Sequence, residues 1–349
     1  MAYFRSNIEA AAGYVPGFQP ENPDVVKLNT NENPYPPSPK VLEALAAIDP
    51  EKLRRYPRPL GDEFRKSAAA VLDVKPENII CTNGGDDLLT ICLRSFCDGG
   101  RPLVYASPTY TLYRVLAQIQ DCRVIEVPFT DKGGLQTEQL ASQNAGMVIV
   151  CNPNAPTGAF IPPAQIEELA QKLNGRSVLL VDEAYVDFAE DNCVSLVKKY
   201  NNVIILRSMS KGYSLAGIRF GFGIADESLI SGMLKVKDSY NVDTLAQTAA
   251  NAAIQDRQYF KKNVAGIIEQ REWLAQQLRG LGFDVPQSST NFLFVKPAGG
   301  DAETIYKKLC DKNIYVRYFS DPEISERLRI TVGTARQNEK LIEALKNIL

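Results

Sequence analysis

The chain reads as an α/β protein: one large, largely parallel sheet with helices on both faces, then a smaller α+β layer. Three observations predict this. Six short apolar runs alternate with helix-like segments, as strands buried on both faces do. Polar motifs follow the carboxyl ends of five of these runs. After about residue 240 the pattern changes to a long helical stretch and a few short strands.

In chain order, residues 13–39 are rich in Pro, Gly and Asn and predict an extended arm. The apolar runs are Ile79–Cys81, Leu103–Tyr105, Val124–Val127, Met147–Val150, Val178–Val181 and Val203–Leu206. Asp86–Phe96 and Pro163–Leu173 are helix-like segments between them. A helical stretch from roughly Thr244 to Leu281 carries the only tryptophan, Trp273. Strand-like Asn291–Val295, a helix, Ile314–Arg317, Leu328–Val332 and a last helix complete the chain. The expected division is an arm over 1–40 that packs with the smaller domain, a large domain over 41–243 and a small α+β domain over 244–349.

Composition excludes several classes of function. The 349 residues are 45% hydrophobic with a net charge of −2, which gives a globular chain without a basic footprint for nucleic acid or anionic membrane. No apolar run approaches the roughly 20 residues of a membrane span, and the first residues lack the apolar core of a signal peptide. A cytoplasmic location is therefore expected. The seven cysteines form no C-x-x-C pair, and their odd number and apolar neighbours favour reduced thiols. The chain contains no histidine. That removes Ser-His-Asp and Cys-His catalysis and histidine-ligated metals, and no metal site is expected.

In open α/β sheets ligands bind beyond the carboxyl ends of the strands. The five motifs there are Asn83–Asp87, Ser107–Tyr110, Asn152–Gly158, Asp182–Tyr185 and Ser208–Lys211. Lys211 follows an apolar strand and small hydroxyl residues, and Arg219 stands eight residues later. Such a lysine can hold pyridoxal 5'-phosphate (PLP) as a Schiff base. Asp182 closes another strand, where it can pair with a pyridinium nitrogen or cap a helix. Tyr185 can donate to the ring's phenolate oxygen or fill the core. Gly84 and Gly85 open a helix whose amides, with Asp86, Ser208, Ser210 and Arg219, can cup a phosphate. Tyr110 offers a face for stacking, with ordinary packing as the alternative. Arg317 and Arg329 lie on apolar strands, where a charge calls for an anionic ligand or an internal salt bridge.

With these residues in place the chain resembles the fold-type-I PLP aminotransferases, most closely the histidinol-phosphate aminotransferase family. The resemblance runs over nearly the whole chain. It is carried by Leu28–Pro34, Arg55–Pro57, Asn83–Asp86, Pro108–Tyr110, Asn152–Gly158, Asp182–Tyr185, Ser208–Lys211, Gly217–Arg219, Ser239–Asn241 and Leu328–Gly333. It implies a seven-stranded large sheet and a homodimer that transfers an amino group reversibly between glutamate and histidinol phosphate. The implied catalytic residues are Lys211, Asp182 and Tyr185. The cofactor would be held by Lys211, Gly85, Asp86, Tyr110, Asn154, Asp182, Tyr185, Ser208, Ser210 and Arg219, with Tyr56 of the partner subunit reaching over. Arg329 would clamp both substrates, helped by Arg317, Tyr14 and Tyr240. An aromatic amino acid aminotransferase or a threonine-phosphate decarboxylase of the same fold is the alternative. The chain departs from the family at Ala155, where an asparagine usually donates to the phenolate, so Asn154 or Tyr185 must serve alone.

Overall fold

The computed structural model describes residues 3–22, 24–130, 133–299 and 301–349. Its large sheet has seven strands: β1 Ile79–Thr82, β2 Leu103–Ser107, β3 Val124–Pro128, β4 Met147–Cys151, β5 Val178–Asp182, β6 Val203–Ser208 and β7 Gly221–Ala225. The order across the sheet is β1-β7-β6-β5-β4-β2-β3. Only β7 runs antiparallel to its neighbours, β1 and β6. Side chains alternate between two cores. Val203 and Ile205 of β6 join Phe64, Val148 and Leu179 on one face. Ile204 and Leu206 join Leu88, Tyr105 and Ile149 on the other. A strand buried on both faces has no polar side to show, which explains the unbroken apolar runs of the sequence.

β7 is the strand that the apolar runs do not reveal. Its glycines hide it and also make it possible. A Cβ on Gly221 would lie 2.6 Å from the carbonyl carbon of Gly84, and one on Gly223 would lie 2.9 Å from Leu88. Only a bare backbone lets β7 pass beneath the helix Gly84–Phe96.

The helical stretch after residue 244 is two helices, Thr244–Gln255 and Arg257–Gly280. Asp256 stands between them with non-helical backbone and caps the second by accepting from the Tyr259 amide. Ala246, Ala249, Ala250 and Ile254 of the first helix belong to the core beneath the large sheet. Packing therefore changes at Asp256 and not at the expected boundary of 243/244.

Beyond it, β8 Phe292–Val295, β9 Arg317–Tyr318 and β10 Leu328–Thr331 form an antiparallel sheet in the order β9-β10-β8. The arm joins this unit. Val26 and Lys27 pair in parallel with Ile314 and Tyr315, and Val26 and Leu28 sit in one core with Leu293, Ile330 and Leu341. No helix among the described residues is long and apolar enough to cross a membrane.

Candidate active site

The parallel direction of β1, β2, β4, β5 and β6 brings their carboxyl ends, and all five polar motifs, to one edge of the sheet. Register then sets the neighbours. Gly221 pairs with Thr82 on one side and with Ser208 on the other, so the start of the Gly84 helix and the Ser208–Lys211 turn flank one narrow point. Gly84 has φ +80°, and a Cβ there would lie 2.7 Å from Arg219 Nη2. Arg219 is itself left-handed, at φ 58° and ψ 53°. A non-glycine residue in that region carries about 1 kcal/mol of strain or more, which is consistent with a side chain held for a purpose. Its guanidinium reaches Asp86 at 3.5 Å, and the Ser210 amide donates to Ser208 Oγ at 3.2 Å. Helix amides, two hydroxyls and a guanidinium brought together beside two glycines have the chemistry to hold a phosphate.

Asp182 ends β5 in the middle of the sheet and is 4% exposed. Its Oδ2 accepts from Tyr113 Oη at 2.6 Å and its Oδ1 from the Ala184 amide at 3.0 Å. Burial raises its pKa to about 6, against the lowering effect of those two donors. A buried carboxylate of this kind is stabilised by a cation, and a protonated pyridine supplies one. Tyr113 escaped the sequence reading, because one tyrosine in an amphipathic helix carries no distinguishing signal.

Lys211 is half-buried, with its Nζ 3.4 Å from the Thr30 carbonyl and 5.7 Å from the Tyr185 ring centroid. Burial and the nearby Arg329 lower its pKa to about 8, with Glu32 acting in the opposite sense. The free amine that imine chemistry requires is thus accessible near neutral pH. Asn33 donates to the Lys211 carbonyl at 2.9 Å and steadies the lysine's backbone.

Tyr185 Oη accepts from Asn31 Nδ2 at 2.9 Å, and its ring meets Phe292 edge-on at 5.2 Å. Tyr110 packs edge-on against Tyr113 at 5.6 Å and against Tyr14 at 5.9 Å. Asn154 already has partners on neighbouring loops. Its amide nitrogen donates to the Pro108 carbonyl at 3.0 Å and to Thr157 Oγ1 at 2.9 Å, while its oxygen accepts from Thr109 at 2.8 Å. With every bond committed, Asn154 braces two loops, and Ala155 beside it offers no donor.

Arg317 and Arg329 stand opposite each other on β9 and β10. Among the described residues neither meets a carboxylate, so the salt-bridge alternative falls. Arg329 Nη2 donates to the Asn29 carbonyl at 3.0 Å, and Arg317 reaches the carbonyls of Val15 and Pro16. Arg329 Nε is buried without a partner, and the guanidinium lies 5.4 Å from the Phe292 centroid and 5.5 Å from that of Phe319. Burial lowers its pKa, and Tyr185, Tyr14 and Tyr110 are among the groups that act on it. Two adjacent cations with carbonyl partners alone make a receptor for an anion.

Tyr56 and Tyr240 stand apart from this cluster. They stack on each other with centroids 4.4 Å apart, and Tyr56 is 81% exposed.

The sequence from 23 to 345 matches the family model for aminotransferase class I and II. The chain is 48% identical over 348 residues to histidinol-phosphate aminotransferase 1 of Trichormus variabilis, covering 99% of each chain. It is 44% identical over 349 residues to the histidinol-phosphate aminotransferase of Geotalea uraniireducens, covering all of both. In fold it matches the crystal structure of histidinol-phosphate aminotransferase from Sinorhizobium meliloti in complex with pyridoxal-5'-phosphate. The TM-score is 0.90 at 24% identity, over 100% of this chain and 98% of the other. Lys211, Asp182 and the residues grouped around Arg219 thus lie in a chain that belongs to the class I and II aminotransferases.

Proposed function

We propose that this protein is a PLP-dependent aminotransferase that moves an amino group reversibly between glutamate and histidinol phosphate, a step of L-histidine biosynthesis. The observation that carries this reading is Arg329. It is a half-buried guanidinium whose Nε is buried and unpartnered, it lies beside a second arginine, and it acts on Lys211 and Tyr185. The names of the full-length relatives support the same substrate.

Bound PLP supplies an electron sink that makes the substrate's α-proton removable. The chain's own residues do the rest. Gly85, Asp86, Ser208, Ser210 and Arg219 would hold the phosphate, and Tyr110 would cover the ring. Asp182 would keep the pyridine nitrogen protonated, and Tyr185 would donate to the ring oxygen. Lys211 would anchor the cofactor and move the proton at the substrate carbon as general base and acid. Arg329 would bind the carboxylate of glutamate in one half-reaction and the phosphate of histidinol phosphate in the other, with Arg317 and Tyr14 beside it.

A cytoplasmic homodimer completes the proposal. Tyr56 and Tyr240, stacked on each other, and Leu42, Leu53 and Leu245 are large exposed hydrophobic side chains that a second copy would cover. All seven cysteines are free thiols, which suits a reducing compartment.

The test is the half-reaction. Histidinol phosphate alone should convert the PLP enzyme to its pyridoxamine form, and no decarboxylase can mimic that, because this substrate has no carboxylate. No spectral change in a sample that responds to glutamate would refute the substrate assignment. Reduction by phenylalanine, or decarboxylation of threonine phosphate, would replace it with one of the alternatives.

A further inference from the structure

Tyr185 has one hydroxyl proton, and the residues around Asn31 decide where it points. Thr331 Oγ1 accepts from the backbone N–H of Asn31 at 3.0 Å, and its own proton goes to Asn31 Oδ1 at 3.0 Å. That leaves Asn31 Nδ2, a donor only, facing Tyr185 Oη at 2.9 Å. The tyrosine oxygen therefore accepts from Asn31, and its proton is free for another acceptor. A flipped Asn31 amide would present its oxygen and turn the tyrosine's proton back upon itself. The arrangement is deeply set. Asn31 is 1% exposed, holds a left-handed backbone at φ 55°, and its carbonyl accepts from Asn291 at 3.0 Å. Both amide protons of Asn154 are committed elsewhere, and Ala155 carries only a methyl group.

We infer that Asn31 is a positioning residue: by donating to Tyr185 it keeps the tyrosine's only proton directed at the oxygen of the cofactor ring. This rests on the role of Tyr185 proposed above. The charged and titratable groups that face Tyr185 are Lys211, Arg329, Asp182 and Cys151. A donor at the ring oxygen stabilises the deprotonated form of the lysine–cofactor linkage. Loss of the donor raises the pH midpoint of the holoenzyme's visible absorbance.

The test is a double-mutant cycle read from that midpoint. Tyr185→Phe should raise it by about one unit. Asn31→Asp presents only acceptors and also adds charge. It should raise the midpoint about one unit more in the native background than in Tyr185→Phe, where the charge effect alone remains. Thr331→Val, a neutral change that frees the Asn31 amide, should raise the midpoint with Tyr185 present and leave it unmoved in Tyr185→Phe. Thr331→Ser should restore it. Should Asn31→Asp not fold, the Thr331 pair decides alone. Equal shifts in both backgrounds would overturn the inference and leave the role of Tyr185 intact. An unmoved midpoint in Tyr185→Phe itself would overturn both.

Discussion

The cofactor end and the substrate end of the cleft are built by opposite means. At the cofactor end the candidate residues cluster at or just beyond the strand termini of the large sheet, and register fixes the neighbours: Thr82, Gly221 and Ser208 stand side by side. Most polar groups there are already paired, as Asp182 is with Tyr113 and Ala184. At the substrate end two arginines face each other on short strands with only carbonyl partners, supplied by the irregular arm. The cofactor stays, so its site can be completed within the fold. Two substrates must alternate at the other end, so its charges are left open to them. Asn29, Asn31 and Asn33 join the ends, touching Arg329, Tyr185 and the Lys211 backbone in turn.

The comparison is broken most severely at Lys211. Lys211→Ala should lower transamination by about 10⁴-fold or more, as measured with either substrate. In the native enzyme, capture of PLP by the cofactor-free protein should speed up as pH rises through about 8, where the amine loses its proton. A pH-independent rate of capture would contradict the burial argument.

Gly221→Ala tests whether register alone builds the phosphate cup. The added methyl meets the Gly84 backbone at 2.6 Å. It should cost about 2 kcal/mol of stability and loosen PLP tenfold or more, measured by urea unfolding and by dialysis.

Asp182 gives a smaller, pH-dependent effect in the cofactor-free protein. Its folded pKa, about 6, lies above the ordinary 3.8, so the folded state holds the proton more tightly. The resulting stability is complete below the unfolded value and is lost as pH rises through about 6. Asp182→Asn should remove that loss and narrow the fall in Tm between acid and neutral pH by about 4 °C. The smallest effect belongs to Ala155→Asn. A donor added beside the ring oxygen should lower the midpoint of the holoenzyme's absorbance by about half a unit, and an unchanged titration would show that this position does not reach the ring.

What the sequence revealed follows the same division. The cofactor residues were legible because a buried parallel strand writes itself as an apolar run, and polar residues at its end stand out. β7 was not, since Gly221 and Gly223 erase the run that would mark it. The alanine-rich helix Thr244–Gln255 resembles its successor in sequence, and only packing places it with the large core. The partners of Asn154, which are Pro108, Thr109 and Thr157, could not be read from the sequence, which does not place them in contact. Asn31 and Thr331 act on each other across 300 positions, a link that no local pattern records.

The central claim is that one guanidinium serves both substrates. Single-turnover reactions of the native enzyme and of Arg329→Leu, with glutamate and separately with histidinol phosphate, test it most directly. Both half-reactions should slow together by roughly 10²- to 10³-fold. If either keeps its native rate while the other collapses, the two substrates do not share Arg329 and the account is wrong.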